Sequence, residues 1–451
     1  VKRTRVEAFA RNLSSETTGS VRSASVLKID GRTKMLASSL DDSERARTAA
    51  AEVKDYVLDN LSTLLVQLEA KCLENGIIVH WAEDAGQARE LIGNLVGEKK
   101  RIVKAKSMAT EEIHLNDFLI KAGHEVVETD LGEYVVQIDG DTPSHIVTPI
   151  IHKSLKQVAK SFEREGLGPY SEVAETLTMQ ARERLREKFQ KADVGISGVN
   201  FAIAESGRIV LVENEGNNRF STTAPRLHIA LMGLEKVLPR EADLPLFLRL
   251  LAASATGQQV TTYTHFIAGP RKSDEADGPD QVHLVILDNG RTKALAGPYR
   301  EILRCIRCGA CLNVCPVYRQ ASGHAYGHVY SGPLGAVLAP ALEGVEKMGD
   351  LAKASTLCGA CEEVCPVKIP IPSMLLRLRD EAFRAGVIKD PVAWQAYATG
   401  ALNPRLWRTG LTMLPMASKV APHPMKSGWA EFHDLPTRSG RDFRRWWNER
   451  T

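Results

Sequence analysis

Seven of the eight cysteines in this 451-residue chain fall between positions 305 and 365. They form two runs. The first reads Cys305-Ile306-Arg307-Cys308-Gly309-Ala310-Cys311-Leu312-Asn313-Val314-Cys315-Pro316, and the second Cys358-Gly359-Ala360-Cys361-Glu362-Glu363-Val364-Cys365-Pro366. The first has the C-x2-C-x2-C-x3-C-P spacing with which thiolates hold iron–sulfur clusters, the fourth thiolate serving the other cluster. Three thiolates at three-residue intervals can wrap one face of a cubane. Gly309 and Gly359 let the backbone come close without a Cβ, and the proline after the last cysteine turns the chain away. Crossed in this way, Cys305, Cys308, Cys311 and Cys365 hold a first cluster, and Cys315, Cys358 and Cys361 a second.

The second run lacks its first cysteine, and Ser355 stands in that place. The first site therefore suits [4Fe-4S]. The second suits [3Fe-4S], or [4Fe-4S] with one iron held by an oxygen, a histidine, water or a partner. Ser355 is either that ligand or an ordinary serine on a helix surface. Zinc sites use four ligands, often as C-x2-C pairs, which fits seven cysteines in two Cys-Pro-terminated runs poorly. A disulfide framework is out of place in a long chain whose other residues hold only Cys72. Cys72 lies in an apparent helix, 65–73, and reads as a small buried hydrophobe.

The length suits two or three domains. Apolar residues at 43% and charged residues at 25% are those of a globular protein. A net charge of +3 gives no argument for nucleic acid. No stretch approaches the roughly 20 apolar residues that a membrane helix needs, and no signal peptide is visible. With cluster-type thiols, these features lead us to expect a cytoplasmic protein without a transmembrane segment.

Four regions follow from the pattern along the chain. Residues 1–75 read as helical, with a basic opening arm (Arg3, Arg5, Arg11) of the kind usually solvated or packed on a neighbour. Residues 76–295 alternate short β-branched runs with helical stretches, the signature of an α/β domain with a largely parallel sheet. Strands are expected at 77–81, 101–105, 125–129, 134–138, 227–232, 260–264 and 282–286, and a hairpin at 201–205 and 209–213 over Ser206-Gly207-Arg208. Helices are expected at 85–95, 111–122 (capped by Thr110), 151–192 and 246–253. Residues 296–390 read as all-α and bear the cysteines. Residues 391–451 form a tail rich in Trp and Pro, ending in Phe443-Arg444-Arg445-Trp446-Trp447. That ending suits either packing on its own domain or docking a partner.

No dinucleotide or P-loop fingerprint is present, and no nucleophile–base pair stands out. Lys106-Ser107 follows a strand at a helix start, which suits either an anion site or a plain capped helix start. A polar loop from Glu213 to Arg219 follows another strand. Lys106, Ser107 and Arg219 are therefore the candidate anion or substrate residues. His145 and His152 suit structural roles, whereas His324 and His328, between the cysteine runs, either reach a cluster or pack their loop on the core.

Several stretches resemble the lactate utilisation protein B family. They are Lys104-Ala105-Lys106-Ser107-Met108-Ala109-Thr110-Glu111-Glu112-Ile113, Glu128-Thr129-Asp130-Leu131-Gly132-Glu133-Tyr134, Pro143-Ser144-His145-Ile146-Val147, Tyr330-Ser331-Gly332-Pro333-Leu334-Gly335-Ala336-Val337, Val367-Lys368-Ile369-Pro370-Ile371-Pro372 and both cysteine runs. The likeness spans roughly 50–390 and leaves out the extreme N-terminus and the tail. It implies a lactate-utilisation (LUD) domain, with a fold like that of sugar-phosphate isomerases and CoA transferases, fused to an α-helical ferredoxin domain. It also implies an electron-transfer component in the oxidation of L-lactate to pyruvate. Two companion proteins are implied, one rich in cluster-binding cysteines and one a lone LUD protein, together with an electron acceptor. The three-thiolate second run is similar to the family's own pattern. Two other roles stay open: a catalytic subunit binding lactate at an open iron of the second cluster, and a regulatory scaffold with structural clusters.

Overall fold

A computed structural model describes residues 4–39, 42–389, 392–410 and 443–450. The chain divides into two compact units, Lys2–Ile388 and Lys389–Thr451.

In the larger unit, the β-branched runs become ten strands: β1 (Ile77–Ala82), β2 (Arg101–Lys104), β3 (Glu125–Glu128), β4 (Val194–Ser197), β5 (Phe201–Ile203), β6 (Arg208–Glu213), β7 (Leu227–Gly233), β8 (Val237–Leu238), β9 (Tyr263–Ile267) and β10 (Gln281–Leu287). Six of them form a wholly parallel sheet in the order β1-β10-β7-β4-β2-β3. A parallel sheet is covered on both faces, so its strands read as unbroken apolar runs rather than alternating ones. Val282, Leu284 and Ile286 accordingly point into one core, with Leu64 and Leu68, and Val285 and Leu287 into another, with Ile92 and Leu119. The second sheet has the order β8-β5-β6-β9. Its β5/β6 pair is the expected hairpin, antiparallel from Phe201↔Val210 to Ile203↔Arg208.

Several local expectations fail, each for a physical reason. Residues 134–138 are helical, within Leu131–Ile138, where Asp130 Oδ1 accepts from Glu133 N at 3.1 Å. The β-branched pair Val135-Val136 suggested a strand. Packing decides otherwise: Val135 sits against Val158 and Phe162, and Tyr134 against Leu185. Ser107, not Thr110, caps the next helix, accepting from Thr110 N at 3.3 Å. That helix ends at Glu112, and a new one, Leu115–Lys121, starts after His114 in a left-handed conformation. The expected helix 151–192 is two, Leu155–Arg164 and Ala174–Lys191, separated by a segment holding Gly166, Gly168 and Pro169. The strand expected at 260–264 lies at Tyr263–Ile267, set by its antiparallel register with β6.

The N-terminal region is not a separate element. Helices Ser15–Ser39 and Ser43–Asp59 bring Val21, Ala50 and Leu58 into one core with Phe201, Phe247, Cys308, Leu312 and Tyr318. Arg5 of the opening arm pairs with Asp350 at 2.8 Å and donates to Lys347 O at 2.7 Å; Arg3 lies outside the described residues. Cys72 is fully buried in helix Leu61–Glu74, and burial pushes its thiol up to about 12.

In the smaller unit, Tyr397 lies edge-on between Trp394 and Trp407, with ring centroids 5.9 and 5.8 Å apart. A short helix spans Phe443–Asn448. The rest of the expected Pro-rich tail, 411–442, lies outside the described residues.

One buried ionic chain ties the α/β region to the cysteine region. Arg291, 1% exposed, donates to both Glu112 oxygens at 2.8 and 2.7 Å and to Glu235 at 2.7 Å. Glu235 in turn accepts from Arg307, beside Cys308, at 3.1 Å, and Tyr330 donates to Glu112 at 2.7 Å. Breaking a buried pair from one side strands an uncompensated charge. Arg291→Met should therefore cost about 3–5 kcal/mol of stability, read as a lowered midpoint in chemical denaturation. Burial alone would raise both carboxyl pKa values, but Arg291 overrides it, holding Glu112 below its ordinary 4.5 and Glu235 at about 2. Their folded values lie below their unfolded ones, so this contribution is complete above pH 4.5 and is lost as pH falls toward 2. A pH series of denaturation midpoints should show the wild type losing stability over that window and Arg291→Met losing less.

Candidate iron–sulfur centre and its cavity

The cysteines separate electrostatically into two sets. Burial pushes the Cys311 thiol far up, and Cys305, Cys308 and Cys365 then add to the shift. Cys308 is raised to about 12 by burial, with Cys305 and Cys365 contributing, and Cys365 to about 11 by burial, with Cys305 contributing. In the second set, burial raises Cys361 to about 12, and Cys315 and Cys358 add to it. Cys361 also lies in the field of Cys311, so the two sets adjoin. Cys365 therefore lies in the field of Cys305 and Cys311, and Cys315 in that of Cys358 and Cys361. Buried thiols with such high pKa values ionise only when a metal takes the charge, so this donor set suits thiolate-held clusters.

Backbone geometry supports the same reading. Arg307 N donates to Cys305 Sγ and Ile369 N to Cys365 Sγ, both at 3.4 Å. Gly309 and Gly359 adopt φ of 76° and 86°, which glycine tolerates best. At Gly309 a further constraint appears: an added Cβ would lie 2.9 Å from His145 Cε1. Pro316 does not simply end a turn, because it opens the helix Pro316–Ala321. Ser355 lies in a loop rather than on a helix surface, and its Oγ accepts from Leu357 N at 3.0 Å.

Basic side chains from distant elements surround the first set. Arg32 donates to Val364 O at 2.8 Å, and Arg47 to Cys365 O at 2.9 Å. Lys54, buried, donates to Glu235 O at 2.6 Å and lies in the field of Cys305. Arg307 also faces Cys305 and stacks on Tyr330, 4.7 Å from the ring centroid. The second set is more open, since Cys358 is exposed. Its thiol is lowered chiefly by the Ala360 N–H.

Beside the first set lies a cavity of about 450 Å3. Its walls follow the carboxyl ends of β2 (Lys106, Ser107), β3 (Asp130), β4 (Asn200) and β7 (Glu235, Lys236), where open parallel sheets place their ligands. Arg307 and Tyr330 close it from the cysteine side, and Lys28 from the N-terminal helix. Of the expected anion residues, Lys106 and Ser107 line the cavity. Arg219 is exposed and does not. Lys106 donates to Val147 O. Burial and then Arg307 pull Lys236 down to about 7, and burial and then Asp130 raise Glu215 to about 7.

The expected histidines divide in the same way. His324 donates to Thr142 O at 2.7 Å, and His328 pairs with Glu343 at 2.8 Å, so both pack their loop onto neighbouring segments. His152 bridges Ser144 and Asp141. His145 is buried between Gly309 and Tyr318, and its Nδ1 accepts from Val147 N and Thr148 N at 3.0 Å each. Arg32, Arg47, Lys54, Lys236 and Arg307 escaped sequence reasoning because no local pattern marks them.

Residues 65–287 match the LUD domain family, 301–369 the 4Fe-4S dicluster domain, and 379–451 the C-terminal domain of lactate utilisation protein B. Lactate utilization protein B of Bacillus subtilis is 43% identical over 429 residues, covering 92% of this chain and 89% of its own. The Bacillus velezensis protein of the same name is also 43% identical, covering 92% and 90%. The chain belongs to the lactate utilization protein B family. An Escherichia coli relative described as an uncharacterized electron transport protein, YkgF, is 43% identical over 90% of this chain and 88% of its own. A solved DUF162 family protein from Deinococcus radiodurans aligns with 50% of this chain and 98% of its own, at TM-score 0.30 and 14% identity, too distant to bear on the fold. The C-terminal match takes in the tail that the resemblance over 50–390 left out, so that segment is part of the family's extent.

Ligand crossing has a direct test. In anaerobically prepared protein, Cys308→Ala and Cys365→Ala should remove the same EPR signal, and Cys358→Ala a different one. If Cys365→Ala instead removes the signal lost in Cys358→Ala, each run keeps its own fourth cysteine and the crossing is wrong.

Proposed function

We propose that the chain is the iron–sulfur electron-transfer subunit of a cytoplasmic complex that oxidises L-lactate to pyruvate. The observation that carries this reading is the pair of cysteine sets, one beside a cavity and one opening to the surface, in a protein of the lactate utilization protein B family. Lactate gives up two electrons, and bound clusters supply one-electron carriage. The protein's own part is to hold that chemistry in place. Ile306, Val367 and Ile369, all buried, keep water from the first set. Arg32, Arg47, Lys54 and Arg307 balance its negative charge.

On this reading a companion subunit or acceptor exchanges electrons at the face that carries Cys358, whose exposure supports it. Those companions are a cysteine-rich cluster protein and a lone LUD protein. Residues Cys305, Cys308, Cys311 and Cys365 hold [4Fe-4S], and Cys315, Cys358 and Cys361 hold [4Fe-4S] or [3Fe-4S]. No helix among the described residues is long and apolar enough to cross a membrane.

The test is reconstitution with both companion subunits under anaerobic conditions. Wild-type protein should show lactate-dependent cluster reduction, and Cys308→Ala should lose it while the variant remains folded by circular dichroism. Full lactate-dependent electron transfer in Cys308→Ala would defeat the relay reading.

A further inference from the structure

The cavity beside the first cysteine set is built for a ligand that nothing so far in its walls satisfies. Arg307 is the main observation. Its side chain is 8% exposed, and only one side of the guanidinium is used: Nη2 donates to Glu235, whereas Nη1 is buried without a partner. Leaving a charged donor buried and unpaired is costly, so such a group calls for an acceptor. Arg307 lines the cavity, as do Lys236 and Lys28. Neither lysine makes a hydrogen bond or ion pair among the described residues. The positive groups therefore come from three separate elements: the cysteine loop, the turn Leu234–Lys236 and the helix Ser15–Ser39.

The other basic groups in the wall have partners of their own. Arg291 is held by Glu112 and Glu235, and Lys106 donates one of its three N–H bonds to Val147 O. Asn200, Glu213 and Asn217 offer polar atoms elsewhere on the wall, though Glu213 is taken up by Asn218 N, Arg219 N and His265. An anion with a second polar group suits such a lining: a carboxylate for the guanidinium and a hydroxyl or keto oxygen for its neighbours.

We propose that this cavity binds a small 2-hydroxy- or 2-oxo-carboxylate, with Arg307 Nη1 and the Lys236 ammonium holding its carboxylate. Arg307 stands between Cys305 and Cys308, so the ligand's charge is delivered onto the loop that grips the first cluster. This site differs from one at an open iron of the second cluster, because its binding groups are side chains beside the first. The choice of ligand class rests on the proposed function; the existence of an anion site rests on the cavity alone.

Calorimetry on anaerobically prepared holoprotein, without companion subunits or electron transfer, tests it. L-Lactate, pyruvate, propanoate and inorganic phosphate are titrated separately, to about 10 mM, beyond the usual upper KM. L-Lactate or pyruvate should bind, and more tightly than propanoate or phosphate. Lys236→Met and Arg307→Met should each weaken binding about tenfold or more, the scale of a lost charge-assisted hydrogen bond. Lys71→Gln, on the surface, should not. Because Arg307 adjoins two cysteines, its variant is scored only with iron content and the cluster EPR signal retained. Lys236→Met carries the test if they are not. Two results overturn the proposal: no binding of either acid to wild type, or binding unchanged in Lys236→Met. Preferred binding of phosphate would overturn the ligand class. Since no electron transfer is read, failure of the relay leaves this measurement standing, and a silent titration leaves the relay standing.

Discussion

Five side chains in a buried row, Tyr330, Glu112, Arg291, Glu235 and Arg307, set how the cysteine region meets the sheet. Each carboxylate is gripped from two sides, and that is the condition under which buried charge can be tolerated at all. The row is directional as well as strong. Glu112 follows β2, Glu235 follows β7 and Arg291 follows β10, so all three stand at the carboxyl ends of parallel strands. Arg307 reaches them from between Cys305 and Cys308. A docking shift of a few ångströms would unpair several charges together, so one arrangement is favoured well above its neighbours.

This coupling explains why the N-terminal helices belong to the same body. Arg32 and Arg47 hold backbone carbonyls at Val364 and Cys365, while Lys54 holds Glu235 O. The helices thus hold both the cysteine loops and the turn after β7. Their apolar residues share a core with the β5/β6 hairpin and with Cys308. The cluster region is therefore not a ferredoxin hung on a linker. Its loops are shaped by contacts from the N-terminal helices and from the α/β region.

The parts legible in the sequence were those whose chemistry is local. Thiolate spacing needs only short-range geometry, so an iron–sulfur region could be expected from the two cysteine runs without knowledge of the fold. The strands of the parallel sheet were legible because burial on both faces leaves an unbroken apolar run, as in Val282 to Leu287. Residues 134–138 misled because Val135 and Val136 carry a strand preference that the packing of Val158 and Phe162 outweighs. Arg307 and Lys236 were invisible as a pair. They lie far apart in sequence, and their shared position follows from the carboxyl end of β7 meeting the cysteine loop.

The same geometry bears on the proposed electron carriage. A carrier that only shuttles between partners needs exposed edges and no enclosed cavity. Here the more buried cysteine set adjoins a cavity, and the second set has an exposed cysteine. The positive field is uneven too, with Arg32, Arg47, Lys54 and Arg307 all acting on the first set. Positive charge stabilises an added electron, so the two sites need not be energetically alike. An anion entering beside Arg307 would offset part of that field, and it would do so at the first site far more than at the second. Ligand occupancy and the readiness of the first site to take an electron are then linked through one guanidinium, which the Glu235 and Arg291 row holds in place.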